Sequence, residues 1–366
     1  MTYTITEQQK RIITAPEDKV CVLASAGTSK TFCLIERIKW LVEQNIDPQK
    51  IIAITFTRNA AQEILQRLAP IQIGYCGTIH AYANYLLLSN GIDTSTSVTN
   101  DNFDQLFEQI KENQECVEDV DIKHLLLDEA QDSSIEQFEF IFKMLKPKSW
   151  TVFGDHKQSI YGFNGGNPKL LIGLSKEPDV KIYHMAENFR NSKKIHDYAN
   201  FILSLARRGY SDNSQLMRKN EGKKISFIYD LDKLVNYIES YDEYKDWFVL
   251  SRTNDGVTDI MKYLNAKKIP CDTFKQGELN NEEIFNKMKE NTVKVLTIHS
   301  SKGLQRKNVA VVGARLPSSD TMYISDDQVE EIRLAYVGAT RAEDLLLWLT
   351  AKSNYRRKQK TTDNWE

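Results

Sequence analysis

The chain has 366 residues, 41% of them hydrophobic, which is enough for ordinary cores and, at usual domain sizes, for two domains. Its 48 basic and 50 acidic residues give a formal charge of -2, so any attraction to nucleic acid has to be local. No apolar run reaches membrane-spanning length, no signal-peptide core is seen, and five scattered cysteines without a CxxC pair favour reduced thiols, so an intracellular protein is expected.

Short apolar runs alternate with helical patterns in two series. The first series begins with VCVLA at Val20, continues through IIAIT, LLLD and WTVFGD, and ends with KIYH at His184. The second begins with ISFIY at Ile225, continues through WFVLS, VKVLT and VAVVG, and ends with LLLWL from Leu345. This alternation is typical of parallel sheets with crossover helices. The sequence therefore predicts an α/β protein with two domains, 1–185 and 186–366.

The segment ASAGTSKT joins the first predicted strand to the helical run FCLIERIKWLV. A small-residue loop before a helix presents backbone N–H groups to phosphate, Lys30 can reach the β and γ phosphates, and the Thr31 hydroxyl can ligate Mg²⁺. Ser29 stands where glycine is usual, and its Cβ lies where the backbone approaches the β-phosphate. The alternative is a small-residue turn with an exposed lysine.

Two further strands end in polar residues. LLLDEAQD places Asp128 and Glu129 at the carboxyl end of a strand, where parallel sheets bind ligands. Asp128 is predicted to hold magnesium and Glu129 to orient or deprotonate the attacking water, unless both carboxylates simply cap the following helix. In FGDHKQSIYGF, Gln158 is predicted to sense the γ-phosphate. The alternative there is a helix N-cap built by Asp155.

The order and spacing of such segments resemble those of the UvrD/PcrA/Rep family of superfamily 1 DNA helicases along nearly the whole chain. The matching segments are ITEQQKRIITAP, ASAGTSKT, IIAITFTRNAAQEI, GTIHAY, LLLDEAQD, FGDHKQSIYGF, ENFRNS, VLTIHSSKGL and LAYVGATRAEDLL. The resemblance implies two RecA-like P-loop NTPase domains in tandem, with the ATP site in the cleft between them. It also implies ATP and Mg²⁺ as cofactors.

The resemblance assigns further roles around the nucleotide. Gln9 would read adenine and Phe189 would stack on it, while Arg37 is either a second base contact or a solvated helix residue. Arg190 and Arg341 resemble the arginines that reach the γ-phosphate from the second domain, and they would complete a catalytic set with Lys30, Glu129 and Gln158. The other nucleotide contacts implied are Ala26, Gly27, Thr28, Ser29, Lys30, Thr31 and, in place of the family's ribose-binding glutamate, Gln305.

Single-stranded DNA is the partner that the resemblance implies. Phe56, Tyr161 and Phe163 would form base-stacking pockets, although a phenylalanine at a strand end, such as Phe56, otherwise packs in a core. The polar DNA contacts implied are Arg58, His80, Arg252, Asn254 and His299, with Lys302 nearby. His80 and His299 have the alternative of bracing loops through hydrogen bonds. Asn164 stands where the family usually has arginine.

The gaps between motifs are short. Only 47 residues separate His80 from Asp128, and larger relatives carry accessory domains in that gap and in the one after Arg190. The resemblance thus implies a monomeric motor core that moves 3′ to 5′ on single-stranded DNA, with no membrane role and with scope for accessory protein partners. The alternative is a slowly hydrolysing, nucleotide-gated DNA-binding subunit of a larger repair, replication or defence complex. An RNA-directed motor is a third hypothesis.

Overall fold

A computed structural model describes residues 4–95, 97, 103, 105–118, 120–206, 211–241, 243–275, 279–317 and 324–350 of the chain. The chain divides into two compact units, the first formed by residues 1–24 and 29–186 and the second by residues 25–28 and 187–366. The predicted domain boundary after residue 185 lies one residue from the break between Ala186 and Glu187.

The first unit contains a six-stranded parallel sheet with the order β3-β2-β4-β5-β1-β6. Its strands are β1 (Lys19–Ala24), β2 (Ile51–Thr55), β3 (Tyr75–Thr78), β4 (His124–Leu127), β5 (Trp150–Gly154) and β6 (Lys181–Met185). Every residue of β2, β4 and β5 is buried, as expected for strands covered on both faces. Since strand residues alternate between faces, the sheet contributes to two separate cores.

Helices cover both faces of this sheet. They are α1 (Glu7–Ile13), α2 (Lys30–Glu43), α3 (Arg58–Leu68), α4 (Ile79–Ser89), α5 (Gln105–Glu112), α6 (Glu115–Glu118), α7 (Ile135–Glu139), which continues as a π-helical turn (Phe140–Leu145), and α8 (Pro168–Leu174). Helices α2 and α3 pack into one core, and α4 and α5 pack into the other. Threonine side chains cap the starts of α3 and α4, which begin three residues after β2 ends and one residue after β3 ends.

The second unit repeats this architecture with a parallel sheet of order β11-β12-β10-β13-β14-β9 and a separate pair, β7 and β8. Its strands are β7 (Glu187–Asn188), β8 (Gln215–Leu216), β9 (Lys223–Ile228), β10 (Trp247–Ser251), β11 (Cys271–Asp272), β12 (Val293–Thr297), β13 (Arg306–Val312) and β14 (Ala342–Thr350). Its helices are α9 (Lys193–Ser204), α10 (Leu231–Glu239), α11 (Asn254–Ala266), α12 (Asn281–Lys289) and α13 (Asp326–Ala339).

The predicted α/β class with parallel sheets is confirmed, and each apolar run predicted as a strand falls on a strand. The sequence did not predict β3, which reads YCGT and is half-buried throughout, because an edge strand of this kind has no apolar run. The five cysteines are unpaired. No helix within the described ranges combines the length and the apolar character that crossing a bilayer requires.

Candidate nucleotide site and nucleic-acid track

The phosphate loop turns through two left-handed residues. Gly27 has φ of +73°, and Ser29, which precedes α2, has φ of 65° and ψ of 45° without a side-chain capping hydrogen bond. Within the loop, the Thr28 hydroxyl donates to the Ser25 carbonyl at 2.9 Å. A non-glycine residue in this region costs about 1–2 kcal/mol. Ser29 therefore adopts a conformation that suits glycine, at a cost in strain.

Lys30 is the first residue of α2 and lies beside the carboxylates that follow β4. In the sheet, β4 is separated from β1 by β5. Its side chain is only 11% exposed, and its Nζ lies 3.6 Å from Glu129 Oε1. The alternative of a merely exposed lysine is therefore wrong. Because the carboxyl ends of β1 and β4 lie at the same edge of the sheet, Lys30 at the start of α2 and Glu129 after β4 meet there.

The Glu129 side chain does not cap the turn that follows it. It lies in the left-handed region with φ of 53° and ψ of 40°, before the short turn Ala130–Asp132, and its side chain makes no capping hydrogen bond to that turn. Instead its Oε2 accepts a hydrogen bond from Gln131 Nε2 at 2.5 Å. The capping alternative is therefore wrong for Glu129. Backbone strain of this kind, at Ser29 and at Glu129, concentrates at functional sites.

Lys30 compensates only part of the negative charge of the carboxylate pair Asp128 and Glu129. Asp128 is 4% exposed, and burial together with the neighbouring Glu129 charge raises the pKa of its carboxyl group, while Lys30 acts in the opposite direction. Thr31, the second residue of α2, adds a hydroxyl at the same helix terminus. These hard oxygen donors fit Mg²⁺, which typically takes one or two protein ligands together with phosphate oxygens. A divalent cation would offset the repulsion between the two carboxylates.

A chain of hydrogen bonds continues from Glu129 toward Gln158. Gln131 Oε1 accepts from the Asp155 backbone N–H at 2.9 Å, and Gln158 Nε2 donates to Asp155 Oδ2 at 2.6 Å. Gln158 itself is 4% exposed. Asp155 also caps the turn His156–Gln158 through the Lys157 N–H, so the capping alternative for Asp155 is confirmed. Gln131 was not predicted, although it stands in the DEAQD segment two residues after Glu129.

Gln9 is buried on α1 in a state that fits ligand recognition. It is 1% exposed, and its Oε1 accepts from the Thr6 backbone N–H at 3.1 Å in a capping box. Its Nε2 has no hydrogen-bond partner among the described residues. Leaving a buried amide donor unpaired costs about 1–3 kcal/mol. An adenine acceptor would remove that cost.

Arg37 corrects the sequence prediction. It is 1% exposed, so the alternative of a solvated helix residue is wrong, while the contact with the base stays a prediction. Its Nε donates to Thr151 Oγ1 at 2.6 Å. Its Nη1 donates to the backbone carbonyls of Ile12, Ile13 and Ala15 at 3.2, 3.1 and 3.1 Å. Arg37 thus fixes the segment that follows α1, the helix that carries Gln9.

In the second unit, both predicted arginine fingers bond to Thr340. Arg190 donates from Nη1 to the Thr340 carbonyl at 3.3 Å and from Nε to Gln305 Oε1 at 2.6 Å. Arg341 donates from Nη2 to Thr340 Oγ1 at 3.2 Å and from Nε to the Val337 carbonyl at 3.0 Å. The structure therefore brings the two arginines to one residue.

The remaining predicted nucleotide contacts of this unit differ in exposure. Phe189 is half-buried, whereas Gln305 is exposed and bonds to Arg190. Arg341 is 1% exposed, with a further hydrogen bond from Nη1 to the Leu304 carbonyl at 3.3 Å. Arg190 is half-buried.

Three predicted base-stacking residues form an aromatic cluster in the first unit, here called the aromatic track: Phe56, Tyr161 and Phe163. The Phe56 and Tyr161 ring centroids are 4.7 Å apart, and those of Tyr161 and Phe163 are 5.9 Å apart. Burial raises the pKa of the Tyr161 phenol. Phe163, by contrast, is 67% exposed, and Phe56 is half-buried, so the track presents ring surface to solvent.

A cavity of about 620 Å³ within the first unit is lined by residues of the aromatic track and by the carboxylates Asp128 and Glu129. Its lining residues include Asp128, Glu129, Phe56, Phe163 and His80. A ligand in the track would therefore lie in the same cavity as the carboxylates that are predicted to serve hydrolysis.

His80 and Arg58 lie in the first turns of the helices that follow β3 and β2. His80 Nε2 is 3.4 Å from Gln137 Nε2, and its ring packs at 5.3 Å from that of Phe107. These contacts support the alternative of a loop-bracing histidine, and Gln137 was not predicted. Arg58 is the first residue of α3 and is exposed.

The DNA contacts predicted in the second unit follow strand ends. Arg252 comes directly after β10 and forms an ion pair with Glu331, whose role the sequence did not predict. Asn254, the first residue of α11, is exposed. His299 lies half-buried in the turn after β12, where its carbonyl accepts from the Lys302 N–H at 3.1 Å, and Lys302 itself is 7% exposed.

Comparison with known proteins matches two family models to the chain. The UvrD/REP helicase N-terminal domain matches residues 5–120 and 79–179, and the UvrD-like helicase C-terminal domain matches residues 274–354. A probable DNA helicase of Mycoplasma pneumoniae is 24% identical over 93% of this chain and 82% of its own length.

Other relatives are matched over shorter shares of their length. The ATP-dependent DNA helicase Rep of Escherichia coli is 27% identical to this chain. The match covers 41% of this chain and 24% of Rep. The Gabija protein GajB of Bacillus cereus is 26% identical to this chain, in a match that covers 68% of this chain and 59% of GajB.

Both family models, the two parallel sheets and the Lys30 loop beside Asp128 and Glu129 agree with two RecA-like P-loop domains. The chain therefore belongs to the UvrD/Rep family of ATP-dependent DNA helicases.

Proposed function

We propose that the chain uses MgATP hydrolysis to move 3′ to 5′ along single-stranded DNA, by opening and closing its two RecA-like units. The observation that carries this proposal is the cavity that holds both the hydrolytic carboxylates, Asp128 and Glu129, and the exposed aromatic Phe163. Polarity and the monomeric state follow from the family resemblance.

On the nucleotide side, each residue has a distinct task in this proposal. Lys30 neutralises charge on the β and γ phosphates, and Thr31 and Asp128 would hold Mg²⁺, which supplies further charge neutralisation when bound. Glu129 accepts a proton from, or orients, the attacking water. Its position is set by Lys30 at 3.6 Å and by the hydrogen bond from Gln131. The Gln158 amide reports the state of the γ-phosphate through Asp155.

Arg190 and Arg341 would stabilise charge on the transferred phosphoryl group when the units close. Both guanidinium groups are oriented by acceptors of Thr340, so one structural element positions the two of them. A site that is completed only by closure links ATP binding to closing and hydrolysis to opening.

The test of the proposed activity uses DNA that carries a streptavidin block at one end. ATP-dependent displacement is expected from the 5′ end, which a 3′-to-5′ motor reaches, and neither from the 3′ end nor with Lys30→Ala. An RNA strand of the same sequence tests the RNA-directed alternative. Displacement from the 3′ end alone would reverse the polarity, and displacement that persists in Lys30→Ala would reject the site.

Phe163→Ala is expected to weaken single-stranded DNA binding by about 5- to 150-fold, because one stacked base contributes about 1–3 kcal/mol. Since Phe163 is 67% exposed, its truncation leaves the core intact. Fluorescence anisotropy with a labelled oligonucleotide measures the effect. Phe285→Ala is the matched control, because Phe285 is an exposed phenylalanine at 57% on the second unit and lies outside the track. Equal affinities for Phe163→Ala and the control would remove Phe163 from the track.

A second candidate function is a nucleotide-gated DNA-binding subunit with slow hydrolysis. The left-handed Ser29 favours it, because its side chain stands beside the predicted phosphate position, and Gln305 replaces a carboxylate of the family. ATP-dependent DNA affinity combined with negligible turnover would support this candidate over a motor.

Ser29→Gly is expected to stabilise the fold by about 1 kcal/mol, because it removes left-handed strain, and to raise the rate of ATP turnover. Urea unfolding and steady-state hydrolysis measure the two effects. Lys146→Gly is the matched control, since Lys146 is exposed and left-handed with φ of 48° but lies after the π-helical turn. The control should gain similar stability with unchanged turnover. A turnover gain in both variants would mean that stability, not the phosphate loop, limits the rate.

A further inference from the structure

The ion pair between Arg252 and Glu331 is a side-on, bidentate contact. Arg252 Nε lies 2.9 Å from Glu331 Oε1 and 3.0 Å from Oε2, and Nη2 lies 2.5 Å from Oε1. The side chains are 34% and 24% exposed. Paired hydrogen bonds of this geometry fix the plane of the guanidinium group, which an ordinary single-contact surface ion pair does not do.

The contact leaves one edge of the guanidinium group unoccupied. Arginine has five N–H donors, and Glu331 takes the Nε–H and one Nη2–H. No other hydrogen-bond partner of the Arg252 side chain is found among the described residues. The remaining Nη1 and Nη2 donors form a planar fork, which is the geometry that matches two oxygens of one phosphate.

The same contact cancels most of the positive charge that Arg252 would offer. Binding of a cation to a phosphate of single-stranded nucleic acid releases counterions, and each neutralised phosphate changes the slope of log K against log salt by about 0.7. An arginine that is already paired with a carboxylate contributes less to this counterion release than an isolated arginine does. A motor that has to release each phosphate on every step benefits from a contact that is well oriented and weak.

We infer that Glu331 is a positioning residue that presents the free edge of Arg252 to a DNA phosphate and, by neutralising it, keeps that grip weak enough for release. The inference rests on the proposed function, in which Arg252 contacts the DNA backbone. It adds an acidic residue of α13 to the DNA-binding machinery, where acidic side chains would otherwise only repel DNA.

The test measures affinity for an oligothymidylate by anisotropy over a salt series, without nucleotide. Glu331→Gln keeps the size of the side chain and an acceptor for Nε but removes the charge, so it is expected to bind about 3- to 10-fold more tightly at low salt, with a slope steeper by up to about 0.7. Glu331→Ala also removes the orientation and is expected to bind more weakly than Glu331→Gln. Asp327→Asn is the matched control, because Asp327 is an exposed carboxylate on the same helix.

Arg252→Ala provides the second arm. In that background Glu331→Gln is expected to have no effect, because the pair acts as a unit. Weaker or unchanged binding by Glu331→Gln, or an effect that persists in Arg252→Ala, overturns the inference. If Arg252→Ala itself binds normally while DNA still stimulates hydrolysis, the inference fails and the proposed function stands. If the unmodified protein neither binds DNA nor responds to it, both fail.

Discussion

Glu129→Gln is expected to lower DNA-stimulated ATP hydrolysis by about 10²- to 10⁴-fold, the usual contribution of a positioned general base. The amide retains the size of the side chain and an oxygen for the Gln131 hydrogen bond, but it cannot take a proton from water. Nucleotide affinity should stay the same or increase, because removal of one carboxylate relieves the repulsion with Asp128 that raises the pKa of the Asp128 carboxyl group.

Steady-state hydrolysis and equilibrium binding of a fluorescent ATP analogue separate these two effects. Glu139→Gln is the matched control, since Glu139 is a carboxylate of α7 that pairs with Lys143 in an i,i+4 contact away from the loop. A hydrolysis rate for Glu129→Gln within a few-fold of that of the control would mean that another group activates the water.

Arg190→Ala is expected to reduce turnover by about 10³-fold or more, which is the lower limit for arginines that stabilise phosphoryl transfer. Nucleotide binding to the open state should change little, because this stabilisation acts in the transition state. The side chain is half-buried and donates hydrogen bonds to Gln305 and Thr340, so its loss removes an oriented charge. Single-turnover measurements on preformed protein–ATP complexes report the chemical step.

Arg67→Ala serves as the control for Arg190→Ala, because Arg67 is an arginine of α3 that forms an i,i+4 ion pair with Glu63. Thermal unfolding of both variants checks that the fold is retained. Loss of nucleotide affinity in Arg190→Ala without loss of single-turnover rate would assign Arg190 to binding and contradict its role as an arginine finger.

The parallel sheets were predictable because buried strands are continuous apolar runs. The same logic singled out Asp128 and Glu129, which follow β4 directly, and Gln158, which lies four residues after the end of β5. Ser29 was recognised as a departure from glycine, but its left-handed conformation needed coordinates.

Arg37 shows where residue type misled the prediction. On α2 it stands four residues after Cys33 and four before Leu41, so helical periodicity places it on the buried stripe, and the structure confirms that burial. Because Arg37 is charged, its side chain was predicted to lie either in solvent or against the base of the nucleotide. The acceptors that make burial tolerable are backbone carbonyls from a segment more than twenty residues earlier, and no local pattern reveals them.

Pairings between distant residues were the least predictable part of the site. Arg252 and Glu331 are 79 residues apart, and nothing in their local sequences marks them as partners. Gln131 was closer to prediction, because it lies inside a motif, yet its bond to the Asp155 backbone depends on the adjacency of β4 and β5.

The proposed coupling of DNA binding to ATP hydrolysis rests on the shared cavity in the first unit, because Phe163 and the carboxylates Asp128 and Glu129 line one space. The most direct measurement is the steady-state rate of ATP hydrolysis by the unmodified chain with and without single-stranded DNA at saturating Mg²⁺. The rate is expected to rise at least tenfold on addition of DNA. If the oligonucleotide binds but the rate is the same with and without DNA, the proposed coupling of DNA binding to ATP hydrolysis is contradicted.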